Sequence, residues 1–579
     1  MPLNTSGQIS LLRVHDVGTG YGPPSGAVDV EVIVQFVGRP TDAFGFQLRT
    51  DGNGPARRGM LDLLRDAFNH GWIAHIDFDI APGHHNGVIM RTWVTKPVTL
   101  PPVVLSATVV KARRTSTRAV NPLNSQNLVG GWQQDRWSNG GSRGLVAGVS
   151  VDGGTSWTQV VIPKITRCSG GDAADGGDFK RATDPWVTFS PNGHVYFFSL
   201  SLDIEAPPGF PGGNGKNALF VSKSTNSGMT WGDPIKIIED TEPRFLDDKQ
   251  SITADPDNAN FVYAVWDRLK LPVGSIINPE NVIGFGFQAP AFFSRTTDGG
   301  QTWEPARAIY NPGANSQTIG NQIVVLADGT LVDLFNEVLG AKNPRNATFV
   351  FNVSLVRSTD RGGTWTHGQA IRAAQLLTRA AFDPQGISVR DPETGDPVRT
   401  GDIIPQVAAD RSPGSQARGA LYAVWQDSRF SDFAHDSIAF AKSTDGGFTW
   451  STPIQINKTP TNISSGNQQA FTPSIAIAPD GTIGVTYYDF RNNTAAASLL
   501  TDYFIVHCHP ATKSCTSPTD WVETKLTDTS FDMRQAPVAR GFFTGDYEGL
   551  GVAGTKFGAF FSMPHGTDPA SVFFRRVGP

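Results

Sequence analysis

At 579 residues, 17% of them charged and 39% hydrophobic, the chain is too long for one ordinary compact core and suits one large repeat domain with a smaller one attached. A formal net charge of −5 leaves no electrostatic footprint for nucleic acid or an anionic membrane surface. No apolar run approaches the roughly 18 residues of a bilayer span, and the opening MPLNTSGQIS has neither the basic nor the apolar region of an export signal.

Residues 1–98 read as a small α+β domain. In VDVEVIVQF the residues Val28, Val30, Val32, Val34 and Phe36 alternate onto one face, predicting a half-buried strand. Pro55 then opens a helix-period segment with Met60, Leu63, Leu64, Ala67 and Phe68 on one stripe and Gly71 as its stop. The strand-like runs WIAHIDFDI and NGVIMRTWV follow. Residues 99–114 read as a proline-containing linker, within which VLSATVVKA could supply a strand to the end of the chain.

From residue 115 to 579 the pattern is all-β, and one stretch recurs. SVDGGTSW, STNSGMTW, TTDGGQTW, STDRGGTW and STDGGFTW end at Trp157, Trp231, Trp303, Trp365 and Trp450, with the degenerate CTSPTDW ending at Trp521. The copies lie roughly 60–85 residues apart, a repeat architecture. In the copies that carry it, the acid can accept hydrogen bonds from backbone N–H groups of its own turn, the glycines supply positive φ and the Trp plugs a gap between sheets, so these residues are structural.

Around each copy four strands can be read, which is a propeller blade. First hairpins near residues 117–135, 184–200, 248–267, 320–337, 403–427, 471–489 and 545–562 imply seven blades, closed by the strand in the linker. Six blades is the alternative. Cys508 and Cys515 flank a Pro-containing turn as a hairpin-tip disulfide would, which suggests an oxidising, extracellular setting. A metal site of His507, Cys508, His509 and Cys515 is the competing reading, and Cys168 has no assigned role.

The repeated Ser/Thr-x-Asp-x-Gly-x-Thr-Trp resembles the Asp-box (bacterial neuraminidase) repeats of the sialidase superfamily, over residues 115–579. The resemblance implies a mainly β, propeller-borne glycosidase-like enzyme acting on an acidic saccharide, with no cofactor or metal. A non-catalytic glycan- or protein-binding propeller and a polysaccharide lyase are the alternatives. Sialidases clamp the substrate carboxylate with arginines and use a Tyr activated by a Glu together with an acid/base Asp, because guanidinium forks bind carboxylates and a glycosidic bond needs a proton donor opposite a nucleophile.

Second strands ending WQQDR, VWDR, VWQDSR and YYDFR place Arg136, Arg268, Arg429 and Arg491 as substrate-binding candidates on one rim. FLDDKQS adds Asp247 as a binding residue and Asp248 as a catalytic one, with Lys249 beside them. GDYEGL offers Asp546, Tyr547 and Glu548 as catalytic candidates. The chain departs from the family at RRTSTRAVNP, where an Arg-Ile-Pro motif is expected. It departs again at Gly320, Asn321 and Asn336, near the expected Glu and Arg.

Overall fold

The computed structural model describes residues 3–15, 30–48, 53–70, 72–95 apart from 83 and 85, 109–110, 117–137, 140–203, 215–270 apart from 243, 288–340, 350–366, 370–376, and 389–578 apart from 414 and 416. The chain divides into two compact units, residues 1–104 and 105–579.

The first unit is a closed five-stranded barrel. Its strands are Leu3–Val14, Val32–Phe36, Arg39–Phe46, Ile73–Ile80 and Gly87–Thr95, with the helix Gly54–His70 between the third and fourth. The long first strand pairs with the second through its C-terminal half and with the fourth through its N-terminal half. A short parallel contact of Phe44 and Gly45 with Gly87 and Val88 closes the wall. This order, with the helix ahead of the fourth strand, is that of the OB-type Greek-key barrel.

The expected alternation in VDVEVIVQF is replaced by burial on both faces, since Val32, Ile33 and Val34 are all fully buried. Val28 lies outside the described residues. On the helix, Leu64 and Ala67 are fully buried and Met60 and Leu61 pack beside them, whereas Leu63 and Phe68 remain exposed. The buried stripe is therefore narrower than predicted and rotated away from them.

The second unit is built almost wholly of antiparallel sheets. Its hairpins are Thr117–Asn121 with Asn124–Arg136, Arg181–Phe189 with Val195–Leu202, Phe245–Ala254 with Val262–Lys270, and Gln317–Val325 with Leu331–Leu339. Gln406–Ala409 with Leu421–Asp427, Ala470–Ile477 with Ile483–Asp489, and Gly549–Ala553 with Lys556–His565 complete the series. Each begins a set of four strands, the sixth with a fifth, Phe531–Asp532, added against its third, and we number these sheets one to seven. Sheets one and two share a single bridge between Ser142 and Ala182. The seventh takes its fourth strand from Val109 and Val110, which pair with Phe573 and Val572.

The first strand of each sheet packs beside the first strand of the next, and that of the seventh beside that of the first. Seven apolar clusters fill the spaces between consecutive sheets. One of them joins Leu128, Trp132 and Trp157 of the first sheet to Phe560 and Val572 of the seventh.

The recurrent turn is a hydrogen-bonded staple. In the fourth sheet Asp360 accepts the Thr364 N–H at 2.8 Å and its hydroxyl at 2.7 Å, while Ser358 donates to Asp360 and receives the Gly362 N–H. The same pattern holds at Asp152, Asp298 and Asp445. The closing indoles of Trp157, Trp365 and Trp521 meet Phe574, Phe293 and Phe440 of the preceding sheets. Cys508 and Cys515 form a disulfide, which removes the thiolates a metal site there would need, and Cys168 is free and exposed.

Candidate functional site

Four of the seven first strands carry a β-bulge near their start, between Thr183 and Trp186, Asp248 and Ser251, Ile319 and Gln322, and Phe471 and Ser474. At each bulge one residue sits in the left-handed region: Asp184 (φ 50), Lys249 (φ 47), Gly320 (φ 72) and Thr472 (φ 52). A bulge re-aims a side chain, and left-handed backbone at a non-glycine costs on the order of 1–3 kcal/mol unless its surroundings hold it. Here they do. Thr183 donates to Asp184 at 2.7 Å, the Gly320 N–H donates to Asp267 at 3.2 Å, and Lys249 is fixed by an ion-pair bridge.

The Lys249 ammonium donates to Asp184 Oδ2 at 3.0 Å and Asp546 Oδ2 at 2.9 Å, tying the third sheet to the second and seventh. Arg399 completes the group with bonds of 3.1 and 2.8 Å to the two oxygens of Asp546. It arrives on Pro397–Arg399, part of the connection between sheets four and five. That segment pairs with Val389–Arg390 and, in parallel, with Phe542–Phe543. The approach is close: a Cβ on Gly401 would lie 1.7 Å from the Asp546 carbonyl oxygen. Phe543 has the Arg399 guanidinium 4.2 Å from its ring and that of Arg136 at 5.3 Å.

The electrostatics divide the carboxyls. Burial pushes Asp546 up, but Arg399 and Lys249 override it and hold the group well below the usual carboxylate range. Burial also raises Asp248, against the charge of Lys249 and together with those of Asp184 and Asp546. Asp248 keeps some solvent contact, and its cross-strand partner Asp267 is buried and raised further. Lys249 stays firmly protonated because Asp184, Asp546 and Asp248 outweigh its burial. For Arg136, burial and the repulsion of Arg399 are not offset by the attraction of Asp546 and Asp184. The Arg136 Nη1 donates to the Trp137 carbonyl, its buried Nε has no hydrogen-bond partner, and burial together with Arg399 draws its pKa down to about 10.

Tyr547 is 4% exposed, packs on Trp186 at 5.4 Å and has a buried hydroxyl with no partner. Burial and the carboxylates of Asp184, Asp546 and Asp248 push its pKa well above 10.0, the reverse of what a phenolate nucleophile requires. Glu548 does not serve that phenol. It turns to the sixth sheet and accepts the Tyr488 hydroxyl at 3.1 Å.

The structure thus brings Asp546, Tyr547, Asp248 and Arg136 together. The other three arginines hold carboxylates elsewhere. Arg268 binds Asp240 at 2.8 and 2.5 Å, with Asp247 at 4.0 Å, between the rings of Phe245 and Phe292. Arg429 holds Asp427 and the Gln375 carbonyl, and Arg491 holds Asp489 and Glu523. Asp247 is fully buried and accepts the Trp266 indole N–H at 2.7 Å. Asp184 and Arg399 went unassigned in the sequence. The signal for Asp184 was a polar residue before proline at the head of a first strand, as in RATDPW and AFTPS. Arg399 left no such signal, because it lies in a connection between repeats.

No protein-family model matches the chain, and no curated protein does. Among solved structures it is similar to a Hadza microbial sialidase at 12% identity, over 75% of this chain and 73% of that one, with a TM-score of 0.40. It is similar to an α-L-arabinofuranosidase of Fusarium graminearum at 12% identity, over 66% and 88%, with a TM-score of 0.38. A leech intramolecular trans-sialidase matches at 12% identity, over 87% of this chain and 76% of that one, with a TM-score of 0.37.

Proposed function

We propose that residues 115–579 form a seven-bladed Asp-box propeller, and that the protein is a glycan-active enzyme taking an acidic saccharide at the rim around Lys249. Support for the ring comes from the cyclic packing of the seven first strands and from the last sheet completed by Val109–Val110.

The observation that carries the ligand reading is Arg136. It is a guanidinium held near a second one, Arg399, which makes the ion pair with Asp546, and its buried Nε is unpaired. A sugar carboxylate would supply the missing anion through a two-pronged bond. Tyr547 then acts as a neutral hydrogen-bond donor to the ligand, not as a nucleophile. Asp248, inclined to its protonated form and still in contact with solvent, is the proton donor to the glycosidic oxygen.

A second reading, a glycan receptor without turnover, is favoured by one observation: Asp184 and Asp546 are both committed to Lys249, so neither stands ready as the partner carboxylate of Asp248.

The test is incubation of purified protein with sialosides, uronate oligosaccharides and their neutral counterparts. New reducing ends without unsaturation support hydrolysis, new reducing ends matched by a conjugated double bond at the new non-reducing ends indicate a lyase, and binding alone indicates the receptor. Arg136→Ala should remove the preference for acidic ligands. Equal affinity for neutral and acidic sugars, or an unaffected Arg136→Ala variant, would overturn the proposal.

A further inference from the structure

The first unit presents a groove of about 590 Å³ between its helix and its last strand, lined by Met60 on one side and by Asp77, Met90, Arg91, Thr92 and Trp93 on the other. We infer that this groove is a second saccharide site, with the Trp93 indole as its platform. The inference rests on reading the protein as glycan-active.

Trp93 is 43% exposed and Met90 likewise, so the strand offers water a large apolar surface. The indole is not loose. His75 stacks on it at 5.1 Å with planes 5° apart, and the His75 ring is itself bonded to the Thr95 hydroxyl at 2.8 Å. Beside it Arg91 binds Asp77 at 2.8 Å, an arrangement of donors and acceptors suited to vicinal hydroxyls. Thr92 lines the groove and has a buried Oγ1 without a hydrogen-bond partner.

A flat aromatic face flanked by fixed polar groups matches a pyranose ring, which is apolar on its C–H face and polar around its edge. Charge argues against the other ligand that barrels of this topology take. Residues 1–104 contain eight Lys and Arg against nine Asp and Glu, with no basic excess for an oligonucleotide. The face such barrels ordinarily use, on the second and third strands, is closed here by an apolar cluster of Val30, Ile33 and Ala43 that is itself buried.

The experiment uses the full-length protein in gels cast with soluble neutral or acidic polysaccharides, with calorimetric titration of oligosaccharides from whichever polysaccharide retards it. Trp93→Ala should weaken that binding about tenfold or more, the worth of one stacked aromatic face. Trp93→Phe should retain most of it, and cleavage of a small soluble substrate should be unchanged in both. Undiminished binding by Trp93→Ala, no retardation of the parent protein by any polysaccharide, or a concentration-dependent dimer that Trp93→Ala dissolves would overturn the inference. The rim proposal fails by a separate sign, the indifference of Arg136→Ala, so the two are told apart.

Discussion

Replacing Tyr547 with Phe removes one oxygen and leaves the contact with Trp186 intact. In the free protein that oxygen is buried and bonded to nothing, and a buried polar group without a partner costs on the order of 1–3 kcal/mol. Tyr547→Phe should therefore leave stability unchanged or raise it by about 1 kcal/mol, and in a unit of this size such a gain lifts the melting temperature by about 1–2 °C. Affinity for the acidic saccharide should fall about tenfold, the worth of one hydrogen bond formed only with the ligand. Scanning calorimetry gives the first quantity and ligand titration the second. A loss of about 1 kcal/mol or more in stability would show that the hydroxyl is bonded in the free protein, and unchanged affinity would show that it does not meet the ligand. Because burial, with its carboxylate neighbours, holds the phenol protonated, the alkaline limb of any pH–rate profile should be the same in both proteins.

Other variants probe the surrounding structure. Lys249→Met strips the shared cation from Asp184 and Asp546 and should cost about 3 kcal/mol, near the lower bound for breaking a buried pair because Arg399 stays on Asp546; a stability loss too small to measure would mean the bridge does not form in solution. Gly401→Ala forces a methyl into the Asp546 carbonyl and should displace Pro397–Arg399, abolishing ligand binding, which a wild-type titration curve would refute. Asp333 is fully buried, neither oxygen meets a donor at bonding distance, and burial raises its pKa well above 3.8. Its favourable contribution is complete below pH 3.8 and is lost as pH rises, so Asp333→Asn should flatten the decline in stability between acid and neutral pH, and denaturant titrations across that range with identical slopes would refute this. Reducing the Cys508–Cys515 bond, whose partners are 7 residues apart, should cost about 2–2.5 kcal/mol in calorimetry, a figure set by the short loop it closes.

What the sequence revealed and what it concealed follow from the range of the interactions. The Asp360 turn is legible because every bond that makes it lies within seven residues of sequence, from Ser358 to Thr364, and it repeats. The hairpins are legible for the same reason. The strand Leu3–Val14 was missed because its Ser, Gly, Gln and Asn residues show little alternation. It is a strand because two partners, Val32–Phe36 and Ile73–Ile80, use its two halves. The rim is harder still. Four Asp-Arg strand ends look alike in sequence, yet Arg429 and Arg491 turn back on the Asp two residues before them, Arg268 reaches Asp240 at the end of the preceding sheet, and the Nε of Arg136 is left without a partner. Arg399 reaches Asp546 across 147 residues, which no local pattern announces.

The short strand Val109–Val110, paired with the final strand Asp568–Val577, has a consequence for synthesis. A ribosome emits Val109–Val110 before the six intervening sheets and its partner strand after them, so until that strand emerges the two lack each other's edges. Such edges invite pairing with other chains. Joining them late costs little extra entropy for a long loop, since the penalty grows only logarithmically with length. What elongation imposes is delay, during which the recurrent aspartate-stapled turns, each of which can form from its own few residues, keep the finished sheets in order.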